Sequence, residues 1–288
     1  MTTRFESSTD FRKSLEARLK NRAAQSEVDL QRLRRKVAFD RFLARVFFES
    51  DGGFVLKGGY AMELRLSNAR ATKDIDLTCL LRFREGLGNV GDLILDDLQR
   101  LVRVDLGDFF TFQVGEAKMD LANAPYGGAR YPVSAILDGR RFVGFQLDVG
   151  LDTLVKEVEM IKTTDWLGFC DIAAPEVPMI SIEQQFAEKL HAYTLPRTDR
   201  VNMRAKDLVD MVLLLRMRPL DMDLLKQALK RVFTSRSTHT FPSQLSPPPS
   251  EWATMYASQA EECDLSLTLE EAFKKVSQLA SGIEQSCD

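Results

Sequence analysis

Residues 54–81 constrain this chain more tightly than any other stretch. An apolar run, FVLK, ends in Gly58-Gly59, a short helical pattern, YAMELRL, follows, and DIDLTCLL then alternates polar and apolar side chains. Two glycines that close a strand and open a helix allow a backbone to approach a phosphate, and the free N–H groups of a helix start favour an anion there. The spacing predicts a strand over 74–81. Its two-residue period puts Asp74, Asp76 and Thr78 on one face and Ile75, Leu77 and Cys79 on the other. Two carboxylates side by side on a pleated surface repel each other, an arrangement that makes sense around divalent cations. Mg²⁺ takes one or two carboxylates together with phosphate oxygens.

A third carboxylate carries the same signature. In FVGFQLDVG, Val143, Phe145, Leu147 and Val149 form one face, with Gly144, Gln146 and Asp148 on the other. Asp148 is therefore a candidate third metal ligand and nucleotide contact, on a strand that could neighbour the first. Three carboxylates from two strands can hold two ions. Lys57, just before the glycines, and Arg70, in the loop feeding residue 74, either reach a phosphate or are surface charges. Thr72 and Ser67 lie close by and could be phosphorylated.

Around this centre the pattern predicts helices over 10–50, broken near Ser26 and stopped by Asp51-Gly52-Gly53, and another over 87–104. Strands are expected over 109–114, 131–137 and 141–149. The Pro-punctuated AAPEVP at 173–178 marks a boundary. Ser181 and Gln184 form a capping box for a helix to about 195. Helices over 204–217 and 221–233, the Pro-rich loop 241–250 and two further helices complete the chain. The fold class is α+β: a mixed sheet core over 51–172, basic helices over 1–50 and a helical domain over 173–288.

The bulk numbers exclude several classes. The chain has 288 residues, four scattered cysteines and two histidines, so neither a zinc site nor a disulfide framework is expected. No stretch approaches the length of a membrane span, and MTTRFESSTD has no apolar leader, so a cytoplasmic protein is expected. Net charge is −3, yet residues 11–45 hold eleven Lys/Arg against four Asp/Glu. That segment carries +7 and the remainder −10. Its basic helices are either a solvated face or a contact for RNA.

The order LKGGYAMELRL…RATKDIDL, then Glu188-Lys189-Leu190, then Lys206-Asp207-Leu208-Val209-Asp210 resembles the AbiEii/AbiGii nucleotidyltransferases. These are the toxins of abortive-infection and type IV toxin–antitoxin systems, relatives of the DNA polymerase β-like nucleotidyltransferases. The resemblance spans 54–216. It implies a nucleotidyltransferase-like fold and an enzyme that moves a nucleotide from an NTP to RNA, the tRNA 3′ acceptor end, blocking translation. It also implies magnesium, two ions at Asp74, Asp76 and Asp148, and a cognate antitoxin. Lys189 and Asp207 join Asp74 and Asp76 as catalytic residues, with Gly58 and Gly59 cradling the triphosphate. Lys189 falls within the apolar stripe of its helix and needs an anionic partner. Asp207 flanks the next stripe, whereas Asp210 points away and suits an ion pair with Lys206. Relatives often have Ser or Thr after the glycines; Tyr60 stands there instead. Two other readings remain open: nucleotidylation of a small molecule or protein, and a GTP-binding protein without turnover. The P-loop pattern is missing, which argues against a standard NTPase.

Overall fold

The computed structural model describes residues 4–48, 53–80, 89–120, 127–152, 155, 157–196 and 204–284. The expected stop at Asp51-Gly52 and Cys287 lie outside them. The chain forms two compact units. Unit 1 comprises residues 1–64, 71–153 and 158–179; unit 2 comprises 65–70, 154–157 and 180–288.

Unit 1 opens with α1 (Ser8–Ser26) and α2 (Leu30–Val46). Ser7 caps α1 and Asp29 caps α2, each accepting backbone N–H bonds from the first turn. The sheet contains β1 (Phe54–Lys57), β2 (Asp74–Leu80), β3 (Phe110–Val114), β4 (Met119–Asp120), β5 (Gly128–Leu137), β6 (Arg140–Asp152), β7 (Val158–Lys162) and β8 (Glu176–Ile180). Its order is β3-β5-β6-β2-β1-β8-β7, with β4 beside β5. It is mixed: β2 runs antiparallel to β1 and parallel to β6, and β1 meets β8 in parallel. Between β1 and β2 lies α3 (Gly58–Arg65), and α4 (Val90–Leu101) precedes β3.

Alternation decides which face is buried. Ile75 and Leu77 of β2, with Phe145, Leu147 and Val149 of β6, join Phe39 and Phe42 of α2 and Ile94 and Leu98 of α4 in one core. Phe39 meets Tyr60 and Phe145 edge to face at 4.8 and 4.9 Å. The basic N-terminal segment is largely spent inside this unit. Arg41 and Arg45 are buried against Asp108, Arg32 and Lys36 pair with Glu63, and Arg34 pairs with Glu16. Arg18 and Arg22 lie over the rings of Phe169 and Trp166. A local +7 in the sequence is thus not a free basic face, because most of its guanidinium groups have partners within the fold.

Three strands escape the sequence pattern: β4, β7 and β8. The Pro-punctuated stretch contains β8, which meets β1 at a single register pair, Leu56 with Met179. Pro178 removes one donor and keeps that pairing short. Unit 2 is helical: α5 (Ile182–Thr194), α6 (Ala205–Met217), α7 (Met222–Arg236), α8 (Trp252–Glu262) and α9 (Leu269–Glu284). Ser181 caps α5 by accepting from Gln184 N, as the capping box requires. Helix α5 packs on α6 and α7, and α6 on α8 and α9. Among the described residues no helix is long and apolar enough to cross a membrane.

Candidate active site

The glycine turn and the carboxylate strand meet inside unit 1. Register places Lys57 opposite Asp76 across β1 and β2, and Asp76 beside Asp148 across β2 and β6. Gly58 has φ +68°, a left-handed conformation that glycine adopts without steric cost. A side chain there would fall on the Asp76 carboxylate. The Gly59 N–H faces Asp76 Oδ2 at 3.4 Å. The turn therefore wraps Asp76, and a β-carbon at residue 58 would occupy the space the carboxylate uses.

The polar face of the strands carries Asp74, Asp76 and Thr78 from β2, and Gln146 and Asp148 from β6, opposite the buried apolar row. Thr78 Oγ1 and Gln146 Oε1 are buried without a hydrogen-bond partner among the described residues. Orphaned oxygens beside carboxylates are a hard donor set that suits Mg²⁺. Asp74 and Asp76 are the carboxylates this face would offer such an ion. Asp148, expected as a third ligand, is committed elsewhere: both its oxygens accept from Arg130, at 2.6 and 2.7 Å. Among the described residues no group of three His, Cys, Asp or Glu is arranged to hold a metal. The hydrogen bond to Asp148, joined by the charges of Asp74 and Asp76, holds the Arg130 guanidinium pKa above its usual value. Arg130 is thus the internal counter-charge of this face. The sequence reading starts that strand at 131, so it leaves Arg130 out; extending the alternation by one residue finds it.

Two further acids fix the turn. Glu63, buried in α3, accepts from Thr72 N at 2.6 Å and pairs with Arg32 and Lys36 at 3.1 and 3.3 Å. Thr72 abuts Gly59 and reaches the Asp74 carbonyl at 3.4 Å. One carboxylate thereby ties α2, the helix after the glycines and the loop entering β2. The Thr72 hydroxyl is packed into this joint, while Ser67 is exposed. Tyr60, which follows the two glycines, is fully buried and donates to Asp40, which also accepts from Trp166 Nε1. Its hydroxyl belongs to the core rather than to a ligand. Burial pushes the Asp40 carboxyl up to about 7 despite those donors. An acid in the apolar phase of α2 was the available signal for Asp40.

The later motifs gather in unit 2. Lys189 of α5 pairs with Asp210 at 2.7 Å and Asp207 at 3.3 Å, both on α6. Arg70 forms a fork on Asp210 at 3.1 and 3.0 Å, and Arg204 pairs with Asp207 at 3.2 Å. Burial opposes the Lys189 charge, but the carboxylates of Asp210 and Asp207 outweigh it and raise its pKa. Burial likewise opposes the Asp210 charge, and Lys189 and Arg70 reverse the balance and lower its pKa. The expectation for Asp210 is therefore corrected: it sits at the centre of the cluster rather than in an ion pair with Lys206. The stripe argument assumes one buried face, whereas α6 is buried on nearly all sides from Ala205 to Leu214. Arg70, read as either a phosphate contact or a surface charge, has its guanidinium on Asp210. His191 is packed: its ring contacts Phe233 and His239, and burial pushes its pKa down to about 3.

A mixed sheet whose strand–glycine–helix–strand unit presents paired aspartates defines a nucleotidyltransferase-type core. The family model for the nucleotidyl transferase AbiEii toxin of type IV toxin–antitoxin systems matches residues 41–279, and the chain belongs to that family. The structure is similar to the nucleotidyltransferase toxin MenT4 of Mycobacterium tuberculosis. That likeness has a TM-score of 0.53 at 16% identity, covering 86% of this chain and 91% of that one. JHP933 of Helicobacter pylori is also similar, with a TM-score of 0.48, 17% identity and coverage of 90% and 94%. At 16% identity the likeness to MenT4 speaks to the fold alone. No curated protein matches the chain. Membership implies an NTP substrate and an antitoxin partner.

Proposed function

We propose that the chain transfers a nucleoside monophosphate from an NTP to RNA, at the 3′ acceptor end of tRNA, and so blocks translation. The observation that carries this reading is the glycine turn closed around Asp76, with Asp74 two residues away on the same strand face. In this reading Asp74 and Asp76 hold Mg²⁺, and Lys57 and the Gly58-Gly59 backbone receive the triphosphate. An acceptor hydroxyl gives up its proton to water as it forms a new bond to the α-phosphorus, and the bond to the bridging oxygen breaks to release pyrophosphate. Mg²⁺ supplies charge neutralisation for that leaving group. Asp148 acts through Arg130, which offsets repulsion among the three carboxylates. Lys189 and Asp207 are assigned to the same reaction from the motif resemblance alone.

The test is purified protein with each α-labelled NTP and total RNA, with Mg²⁺ or with chelator. Label is expected in small RNA with Mg²⁺ only, and is expected to vanish in Asp74→Asn and Asp76→Asn. Label confined to protein or a small molecule overturns the acceptor. Absence of pyrophosphate release under every NTP overturns the transfer reaction and leaves nucleotide binding.

A further inference from the structure

The last two helices of unit 2 leave a groove of about 1120 Å³ that the proposed reaction does not use. Its walls are α8, α9, the turn between them and the Pro247-Pro248 segment. The floor is apolar: Ala257 of α8, Leu267 of the turn and Phe273 of α9 all face it. Tyr256 lines it at 2% exposure, and its hydroxyl has no hydrogen-bond partner among the described residues. Small-molecule sites run to roughly 1,000 Å³ and are more enclosed, so the size and open form suit a peptide segment.

Charge selects the segment. Residues 237–273 contain no Lys or Arg and six carboxylates: Glu251, Glu261, Glu262, Asp264, Glu270 and Glu271. All six are exposed, and Glu261, Asp264 and Glu270 line the groove itself. An apolar floor whose lining holds three carboxylates and no Lys or Arg matches a helix with an apolar stripe flanked by Lys and Arg. Arg216 reaches the Asp264 carbonyl at 3.4 Å, so one cation stands behind the acidic lining. The chain's own cationic helix α1 does not supply the occupant in a second copy, because Phe11, Leu15 and Leu19 are already buried in unit 1. We propose that this groove docks a cationic amphipathic helix of a separate partner protein. The proposal stands apart from the transfer reaction.

The probe is a fluorescent synthetic helix of about 18 residues, five turns, with Leu at i, i+3, i+4 and i+7 and Lys elsewhere. Binding to the full chain is read by anisotropy. The wild type is expected to bind it, more weakly as salt rises, and to ignore the same peptide with Glu in place of Lys. Ala257→Arg and Glu261→Lys/Glu270→Lys change exposed positions, so both chains fold, which circular dichroism checks. Each is expected to weaken binding about tenfold or more, and the double variant to gain affinity for the Glu peptide. No binding by the wild type overturns the proposal, as does equal binding by the variants or by both peptides. Ultraviolet cross-linking of tRNA to α8 or α9 would assign the face to RNA and overturn it too.

Discussion

Replacing Gly58 by alanine separates two costs that the structure predicts at different glycines. Gly58 and Gly139 have nearly the same backbone angle, φ +68° and +65°. Both lie in unit 1. Gly139 closes the β5–β6 hairpin after Asp138, also at positive φ, and nothing stands within 4 Å of a side chain added there. Gly139→Ala therefore incurs backbone strain alone, about 1–2 kcal/mol, reduced by the loss of glycine's freedom in the unfolded chain. Gly58→Ala incurs the same strain and also drives its methyl into the Asp76 carboxylate. Overpacking of that kind costs roughly 1–3 kcal/mol, so the expected total is about 2–4 kcal/mol. Trp166 lies in unit 1 and Trp252 in unit 2, so Trp166 fluorescence in a Trp252→Phe background follows the relevant unit during urea unfolding. Pyrophosphate release should collapse in Gly58→Ala and persist in Gly139→Ala, since only the first displaces Asp76. Equal stability losses with equal activities would refute the close approach of the turn to the carboxylate.

Two further outcomes follow from the buried charges. Asp40 titrates near 3.8 when unfolded and about 7 when folded. The folded state thus keeps a proton that the unfolded state has lost. Stability is favoured below pH 4, falls as pH rises, and the loss is complete above about pH 7. A shift of this size corresponds to about 4 kcal/mol, and Asp40→Asn should flatten that slope in urea unfolding measured across pH; an unchanged slope would assign it to other groups. In unit 2, Lys189→Met strips Asp207 and Asp210 of their shared cation and should cost about 3–5 kcal/mol, read from Trp252 fluorescence, while Lys189→Arg should retain most stability. A loss below about 1 kcal/mol for the methionine variant would show that the pair is solvated in solution.

Local pattern was sufficient for elements whose geometry depends on near neighbours. The Ser181 cap of α5, the break between α1 and α2 near Ser26, and the faces of β2 and β6 all follow from spacing, because helix and strand periods act over a few residues. The glycine turn was legible for the same reason: two glycines between an apolar strand and a helix are a signal carried by adjacent residues. Register was not legible. That Asp76 lies beside Asp148 depends on which strands pair, and β8 was hidden because a proline-broken run of five residues has no strong period.

Charge was where sequence alone misled most. Eleven Lys/Arg in 35 residues suggested a basic face, yet Asp108, Glu63 and Glu16 take up five of those cations from distant points in the chain. Arg130 and Asp210 gained their roles only when β5 met β6 and α5 met α6. The sequence by itself determined which residues are acidic, which faces β2 and β6 present, where the cap of α5 falls and where paired glycines make a turn. Tertiary structure alone decided which charges neutralise one another, because an ion pair is set by distance in space, and a linear chain does not encode that distance in its local period.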